Sequence, residues 1–230
     1  MPLAPPEPSR HRTKQEFVYR TLRNGILQCE LQPSERLVID DLARRLDVSA
    51  IPVREALQLL QSEGLVVTVP HVGTTVAPIS PESIVDVFSV LEGLETVATR
   101  LVAERADRAT FDQLQSLVEA MDRALAAADT ARWAEANRRF HLAVASVPAL
   151  PLLRDMTERV LDRWDRVRRF YVRGVLEHRA QQAQREHREM LDAMREKDLP
   201  RLQQLVRDHN QGAMQAYLTF LGNDALSSAG

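Results

Sequence analysis

The strongest constraint on the fold is the segment 42–65, LARRLDVSAIPVREALQLLQSEGL, which predicts two short helices joined by a tight turn. In the first helix, Leu42 and Leu46 recur at helical spacing. Ser49 is a good N-cap for a second helix, and Pro52 would lie in its first turn, where a missing N–H is tolerated. Two helices so close together with a fixed turn indicate a helix-turn-helix.

The second helix has one apolar face, made by Val53, Ala56, Leu57 and Leu60. Its N-terminal end is then expected to be exposed and to carry Ala50, Ile51, Pro52 and Arg54. In a helix-turn-helix this end enters the major groove of DNA. The guanidinium of Arg54 could read a guanine edge or hold a phosphate, and the sequence leaves both roles open.

A hairpin is predicted after this pair of helices. The runs 65–69 and 74–77 are rich in β-branched residues and are separated by Pro-His-Val-Gly. As a wing beside the helix-turn-helix, this turn would bring His71 and Gly73 close to the DNA minor groove. A helix over about 14–29 is expected to complete the unit, with a core face made by Phe17, Leu22, Ile26 and Leu27.

The chain has 230 residues, which is long enough for a regulator with two domains, and its formal charge is −2. Balanced overall charge argues against a non-specific architectural DNA protein, but it permits one basic face made by Arg44, Arg45, Arg54 and His71. The single Cys29 excludes an internal disulfide, and no apolar run is long enough for a signal peptide or membrane span. We expect a cytoplasmic protein with a disordered, proline-rich arm over residues 1–12.

The second half predicts helices only. Ser80 caps the first of them and Pro81 occupies its first position. The predicted helices span about 81–106, 111–128, 130–146, 150–172, 176–197 and 199–221, with a capping box at 110–113 and caps at Asp129 and Asp198. The expected fold class is mainly α: a winged helix-turn-helix domain over 13–78, an antiparallel helical bundle over 79–222 and a tail over 223–230.

Three histidines of the bundle are predicted to face its interior. Asn137 and His141 are four residues apart and share one helix face. His187 and His209 each lie on an apolar stripe of another helix. A buried imidazole is either a hydrogen-bonded neutral side chain or a metal ligand. Three from separate helices favour a divalent transition metal such as zinc or nickel.

Two stretches of the chain resemble a known family. LRNGILQCELQPSERLVIDDLARRLDVSAIPVREALQLLQSEGLV, with its glycine-tipped wing, resembles the DNA-binding domain of GntR-family bacterial repressors. The resemblance implies operator contacts at Ser49, Ala50, Arg54 and the wing tip at His71 and Gly73. Many members have arginine where this chain has Ala50, and an alanine cannot hydrogen-bond a base, so their operator sequences should not be carried over.

The motifs NRRFH, EHR and DH resemble the FCD effector domain of one GntR subfamily. That resemblance implies a metal site at Asn137, His141, His187 and His209. Metal-binding members have aspartate where this chain has Asn137, and a neutral amide is a weaker ligand, so lower affinity is expected.

Some members also bind an acidic effector through an arginine at the position of Leu91. The charge would then come from Arg138 or Arg100, or the effector is neutral and more apolar. In a further alternative, Leu91 fills the core and no effector pocket exists.

These observations predict a ligand-responsive transcriptional regulator, expected to be a repressor. It would bind a palindromic DNA operator as a homodimer, release it when a small-molecule effector enters the bundle, and associate with the nucleoid rather than a membrane. One alternative is a metal-stabilised regulator without an effector. Another is a metalloenzyme built on the histidines, which is disfavoured because no carboxylate stands at an obvious spacing to support them.

Overall fold

The computed structural model describes residues 13–69, 73–171 and 175–227 of the chain. It divides into two compact units, Met1–Ile79 and Ser80–Gly230. The predicted arm over residues 1–12 and the predicted wing residue His71 lie outside the described residues. The proposed domain boundaries stay predictions.

The first unit is a small helical domain with one hairpin. Its elements are α1 (Lys14–Leu27), α2 (Ile39–Leu46), α3 (Ala50–Ser62), β1 (Val66–Val69) and β2 (Gly73–Val76). The two strands pair antiparallel, with Val66 opposite Val76 and Val69 opposite Gly73. The predicted wing is therefore present.

The core of this unit corrects one prediction. Leu22, Ile26 and Leu27 are buried as expected, but Phe17 is 49% exposed. Val18 is buried in the core instead of Phe17, because residues 18, 22 and 26 are spaced four apart and share one face of α1.

The second unit consists of helices throughout its described part. They are α4 (Pro81–Arg105), α5 (Arg108–Ala126), α6 (Thr130–Ser146), α7 (Pro151–Phe170), α8 (Val175–Glu196) and α9 (Leu199–Ser227). Ser80 caps α4 through a capping box with Ser83, and Asp129 caps α6. In no described helix is there an apolar stretch long enough to cross a membrane.

Two helix ends differ from the sequence-based prediction. The predicted capping box at 110–113 is wrong, since α5 begins at Arg108 and Asp107 is its N-cap. The Asp107 carboxylate accepts from the Thr110 N–H at 2.8 Å, which satisfies an amide that has no partner within the helix. At the other end, α9 continues to Ser227, past the predicted end at 221, because a single glycine at 222 is tolerated within a helix.

The bundle core has an apolar part and a group of buried polar side chains, here called the polar centre. Trp133, Phe140, Met190, Met194 and Leu202 are among the side chains that form the apolar part. The polar residues buried in this unit include Glu95, Asn137, His141, His187, His209 and Asn210. Burying so many polar groups costs free energy unless they bind one another or a ligand, so they mark a candidate site.

Candidate DNA-binding surface and metal centre

The helix-turn-helix forms because the chain reverses sharply between α2 and α3. Asp47 ends α2 with φ 52°, in the left-handed region that aspartate adopts more readily than most residues. Ser49 is the N-cap of α3 as predicted, although its side chain makes no capping hydrogen bond there. The hydroxyl is exposed on this side of the unit.

The exposed side of the pair carries basic residues. Arg44, Arg45 and Arg54 are all exposed, and Arg44 forms a 2.7 Å ion pair with Asp41. Such a surface pair contributes little to stability, so Arg44 can exchange its partner at little cost.

The N-terminal end of α3 is only partly exposed. Ile51 is 67% exposed and Ala50 is half-buried. Pro52 was expected to be exposed there and is instead buried, because it lies four residues before Ala56 on the core face of α3.

The wing brings an arginine that the sequence reasoning did not single out. Arg36 is exposed and forms an isolated β-bridge with Thr75 of β2. Its guanidinium lies beside Gly73, where a Cβ on that glycine would lie 3.6 Å from Arg36 Nε. Gly73 has φ +110°, a conformation that side chains other than glycine's rarely allow. The bridge to Thr75 is a tertiary contact that the sequence around Arg36 does not indicate.

Three histidines from three helices converge in the second unit. His141 comes from α6, His187 from α8 and His209 from α9, and one nitrogen of each lies within 4.8 Å of the others. The Nε2 atoms of His141 and His187 are 3.4 Å apart. All three side chains are buried, as the sequence predicted. Such closely grouped imidazoles match the donor set of a transition-metal site.

Asn137 is a further candidate donor, because it shares a helix face with His141. It lies one turn before His141 on α6 and is 2% exposed. Its Oδ1 is buried, and no described residue donates a hydrogen bond to it. An acceptor left unsatisfied costs about 1–3 kcal/mol, a cost that a coordinated cation would remove. The residues present therefore fit a metal ion.

Two carboxylates contact the Nδ1 atoms of two of the imidazoles. Glu95 Oε1 lies 2.5 Å from His141 Nδ1, and Glu186 Oε2 lies 2.7 Å from His209 Nδ1. Arg179 Nη2 also donates to Glu186 Oε2, at 2.6 Å. With Nδ1 engaged, each of the two histidines presents Nε2 as its remaining ring nitrogen, the arrangement that orients metal-ligating histidines in proteins.

The sequence-based prediction that no carboxylate supports the histidines is therefore wrong. Glu186 directly precedes His187 in the chain but contacts His209 on another helix, so spacing alone could not identify it. Glu95 did leave a signal: it lies four residues after Leu91 and three before Ala98, within the apolar stripe of α4. A charged residue in that stripe marks a buried polar contact.

Both carboxylates are held in the ionised form. Burial is the largest influence on the pKa of Glu95 and would raise it, but its charged and hydrogen-bonding neighbours, His141 first, bring the pKa below its usual range. Burial likewise opposes ionisation of Glu186, yet hydrogen bonds from His209 and Arg179 lower its pKa to about 2. The site thus contains fixed negative charge.

Two of the imidazoles are held neutral. Burial, followed by the charges of its neighbours, places the pKa of His187 well below its ordinary value. Burial also lowers the pKa of His209, although the hydrogen bond to Glu186 acts in the opposite direction. A neutral imidazole retains the lone pair that metal coordination needs, so the electrostatics of the site favour a ligand role.

The residues expected to line an effector pocket have other roles. Arg138 forms ion pairs with Asp162 at 2.8 Å and Asp165 at 3.4 Å, so its charge is already compensated. Arg100 pairs with Glu104 on the surface of α4. Leu91 is 2% exposed and fills core. The expectation that Arg138 or Arg100 replaces a missing arginine at position 91 is therefore not supported.

Two clefts open on the second unit. A small one of about 80 Å³ lies between α4 and α9, and Phe88, Glu92 and Asn210 contribute to its lining. Asn210 also hydrogen-bonds to Glu95, so this cleft adjoins the polar centre. A wider groove of about 540 Å³ between α5 and α6 is lined by Arg139 and several hydroxyl side chains.

Comparison with known proteins identifies both units. Residues 14–76 match the family of bacterial regulatory proteins named gntR, and residues 86–212 match the FCD domain. The chain belongs to this gntR family, in its FCD branch. It is 30% identical to the HTH-type transcriptional repressor GlaR of Escherichia coli K12 over 203 residues, which cover 83% of this chain and 90% of GlaR.

Other relatives agree with this family. The chain is 26% identical to the HTH-type transcriptional regulator YdhC of Bacillus subtilis 168 over 192 residues, which cover 83% of this chain and 85% of YdhC. Its fold matches the solved structure of E. coli McbR/YncC with a TM-score of 0.71 at 22% identity, covering 92% of this chain and all of that one. As a member of this family, the protein is a DNA-binding transcriptional regulator and not an enzyme.

Proposed function

We propose that the protein represses transcription by binding a palindromic operator as a homodimer, with one α3 helix in the major groove of each half-site. The exposed arginines of the first unit support this assignment, with Arg54 on α3 as the base reader and Arg44 and Arg45 on α2 as phosphate contacts. Ser49, Ala50 and Ile51 at the start of α3 and Gly73 in the wing complete the proposed DNA-facing set. The buried Pro52 serves only to begin the helix.

We further propose that the second unit holds one divalent transition metal through Asn137, His141, His187 and His209. The convergence of three buried imidazoles within 4.8 Å carries this proposal. The metal would hold α6, α8 and α9 together and offer a Lewis-acidic position to a ligand. Zinc and nickel suit a donor set made of imidazoles and one amide oxygen.

The effector is proposed to be a small molecule that reaches this centre and shifts the dimer between two arrangements. It can do so only as far as its affinity differs between them. The cleft beside the centre measures about 80 Å³, so a compound of only a few non-hydrogen atoms fits without rearrangement. Glu92 contributes a carboxylate to the lining of this cleft, which favours a neutral effector over an acid.

Selection of DNA from a random library by the full-length protein tests the repressor proposal. A two-fold symmetric site with both half-sites protected in a footprint is expected, and Arg54→Ala should lose that protection while keeping its fold. Arg108→Ala is a matched control, because this bundle arginine is 96% exposed and its ion pair with Asp112, the one it forms among the described residues, is 4.0 Å long. Retained protection by Arg54→Ala would reject Arg54 as the reader.

A second candidate function is a metal-stabilised regulator that responds to no organic effector. The small size of the cleft favours it, since ligand pockets are usually about 300–1,000 Å³. Operator affinity that changes with metal loading alone, and with no compound in a screen of small neutral and acidic molecules, would support this function over the effector-responsive one.

A further inference from the structure

Glu95 is a charged residue where α4 is otherwise apolar. Its side chain is 5% exposed, and Leu91 and Ala98 on the same helix face are also buried. A carboxylate in such a position is costly unless each oxygen is satisfied. Glu95 is therefore held there by specific contacts.

Both oxygens of Glu95 are engaged. Oε1 lies 2.5 Å from His141 Nδ1, and Oε2 accepts a hydrogen bond of 2.7 Å from Asn210 Nδ2. Asn210 is itself fixed, because the same amide donates to the Val206 carbonyl at 3.0 Å. The carboxylate is consequently locked in one orientation behind the His141 ring.

This contact determines the protonation of His141. An ionised carboxylate can only accept a hydrogen bond, so in the neutral ring of His141 the proton is on Nδ1 and Nε2 keeps its lone pair. Nε2 faces the histidine cluster, 3.4 Å from His187 Nε2. Glu95 thereby aims the lone pair of His141 at the position that a metal would occupy.

The contact also supplies charge. Asn137 is a neutral donor, and an imidazole that binds a metal through its lone pair is neutral too, so none of the proposed ligands offsets the charge of a divalent cation. Glu95 places a buried negative charge against one of these ligands, His141. We propose that Glu95 is a positioning residue of the metal centre, which fixes the His141 tautomer and supplies the negative charge that an amide at position 137 lacks. This inference rests on the proposed metal site.

Two substitutions separate the two roles. Glu95→Gln removes the charge but keeps an oxygen that can accept from His141, whereas Glu95→Met removes both. Loss of such a supporting contact weakens metal binding by about 10- to 100-fold. Glu95→Gln is expected to fall in this range and Glu95→Met to bind more weakly still. Glu104→Gln is the matched control, since Glu104 also lies on α4 but pairs with Arg100 at 2.8 Å and its carboxylate is 41% exposed.

The measurement is competition for Zn²⁺ and for Ni²⁺ between the full-length protein and a chromophoric chelator. Glu104→Gln should bind as the wild type does. Adding Asn137→Asp to Glu95→Gln should restore affinity close to that of the wild type, because the charge returns as a ligand. Wild-type affinity in Glu95→Gln, or no rescue by Asn137→Asp, would overturn the role of Glu95.

A second readout needs no metal and no variant. Nitrogen-15 NMR of the metal-free wild-type protein should show the His141 ring protonated at Nδ1 and unprotonated at Nε2. The opposite tautomer would overturn the inference even if the variants failed to fold. If the wild type binds no metal at all, the proposed metal site itself is rejected, whereas metal binding that Glu95→Gln leaves intact rejects only the role of Glu95.

Discussion

The two units of this regulator place their functional groups in opposite ways. In the first unit the three arginines proposed to contact DNA are exposed and lie close together in the chain, from Arg44 to Arg54. In the second unit the candidate metal ligands are buried and come from three helices, with His141 and His209 separated by 68 positions. A surface for a macromolecule can be built from a local motif, whereas a buried cation site depends on how distant helices pack.

A core truncation in each unit gives the largest effect and tests whether the units are independent. Leu60→Ala and Met194→Ala each remove a side chain that is 0% exposed, which costs about 2–5 kcal/mol in such positions. Both tryptophans, Trp133 and Trp164, belong to the second unit, so their fluorescence reports on the bundle. Leu60→Ala should weaken DNA binding and leave the fluorescence transition unchanged, and Met194→Ala should lower that transition. An equal shift in both variants would mean that the units unfold together.

The pH dependence of stability should come from the buried site. In the metal-free protein the unfolded histidines take up protons below about pH 6.5, while the lowered pKa values keep His187 and His209 neutral in the folded state. Stability therefore falls as pH decreases below that value, by up to about 1.4 kcal/mol per pH unit for each proton. Glu186, with its pKa of about 2, adds a further loss below about pH 4.5.

Thermal melting in the presence of a chelator, from pH 7.5 down to pH 4, measures this slope. His187→Gln should have a shallower decline between pH 6.5 and pH 5, because one of the two protonations has been removed. A wild-type melting temperature that does not change over this range would contradict the burial of neutral imidazoles.

A smaller effect on stability is expected at the N-terminus of α4, where the bundle begins. Ser80 Oγ accepts from the Ser83 N–H at 3.3 Å and Ser83 Oγ accepts from the Ser80 N–H at 2.9 Å, which closes the first turn of α4. Ser80→Ala should cost about 1 kcal/mol of bundle stability. Ser116→Ala, at an exposed position within α5, is the control and should be nearly neutral. Denaturant unfolding followed by tryptophan fluorescence compares the two.

The smallest effect concerns the wing. Arg36 beside Gly73 is positioned to contact a phosphate, so Arg36→Ala should weaken binding evenly across DNA sequences and reduce the salt slope by about 1. Arg54→Ala should instead lose discrimination at one base position, by about 1–3 kcal/mol. Titrations at several salt concentrations with specific and random DNA separate these outcomes. Loss of sequence discrimination in Arg36→Ala would assign base reading to the wing.

The sequence predicted most of the fold because the fold is made of local signals. Caps such as Ser80 and Asp129, and the four-residue spacing of the apolar stripes, determine where most helices begin and which face they bury. The errors lie where a signal was ambiguous. Asp107 competed with Thr110 as a cap, and Phe17 competed with Val18 for the core of the first unit.

The candidate site could be predicted only in part, for a related reason. The histidines lie on apolar stripes, so their burial followed from periodicity. The residues that contact the site could not be predicted in this way. Glu186 contacts a ring on a different helix, and Arg138 is compensated by acidic residues of α7. Contacts between helices depend on the packing of the whole bundle, which no short segment encodes.

Elemental analysis of the full-length protein, purified without chelators, determines whether the three histidines bind a metal. About one zinc or nickel per chain is predicted for the wild type and for the control Glu104→Gln, and none for a variant that combines His141→Ala and His187→Ala. Equal metal content in that variant, or no metal in the wild type, would contradict the account and leave the three imidazoles as hydrogen-bonding groups of the core.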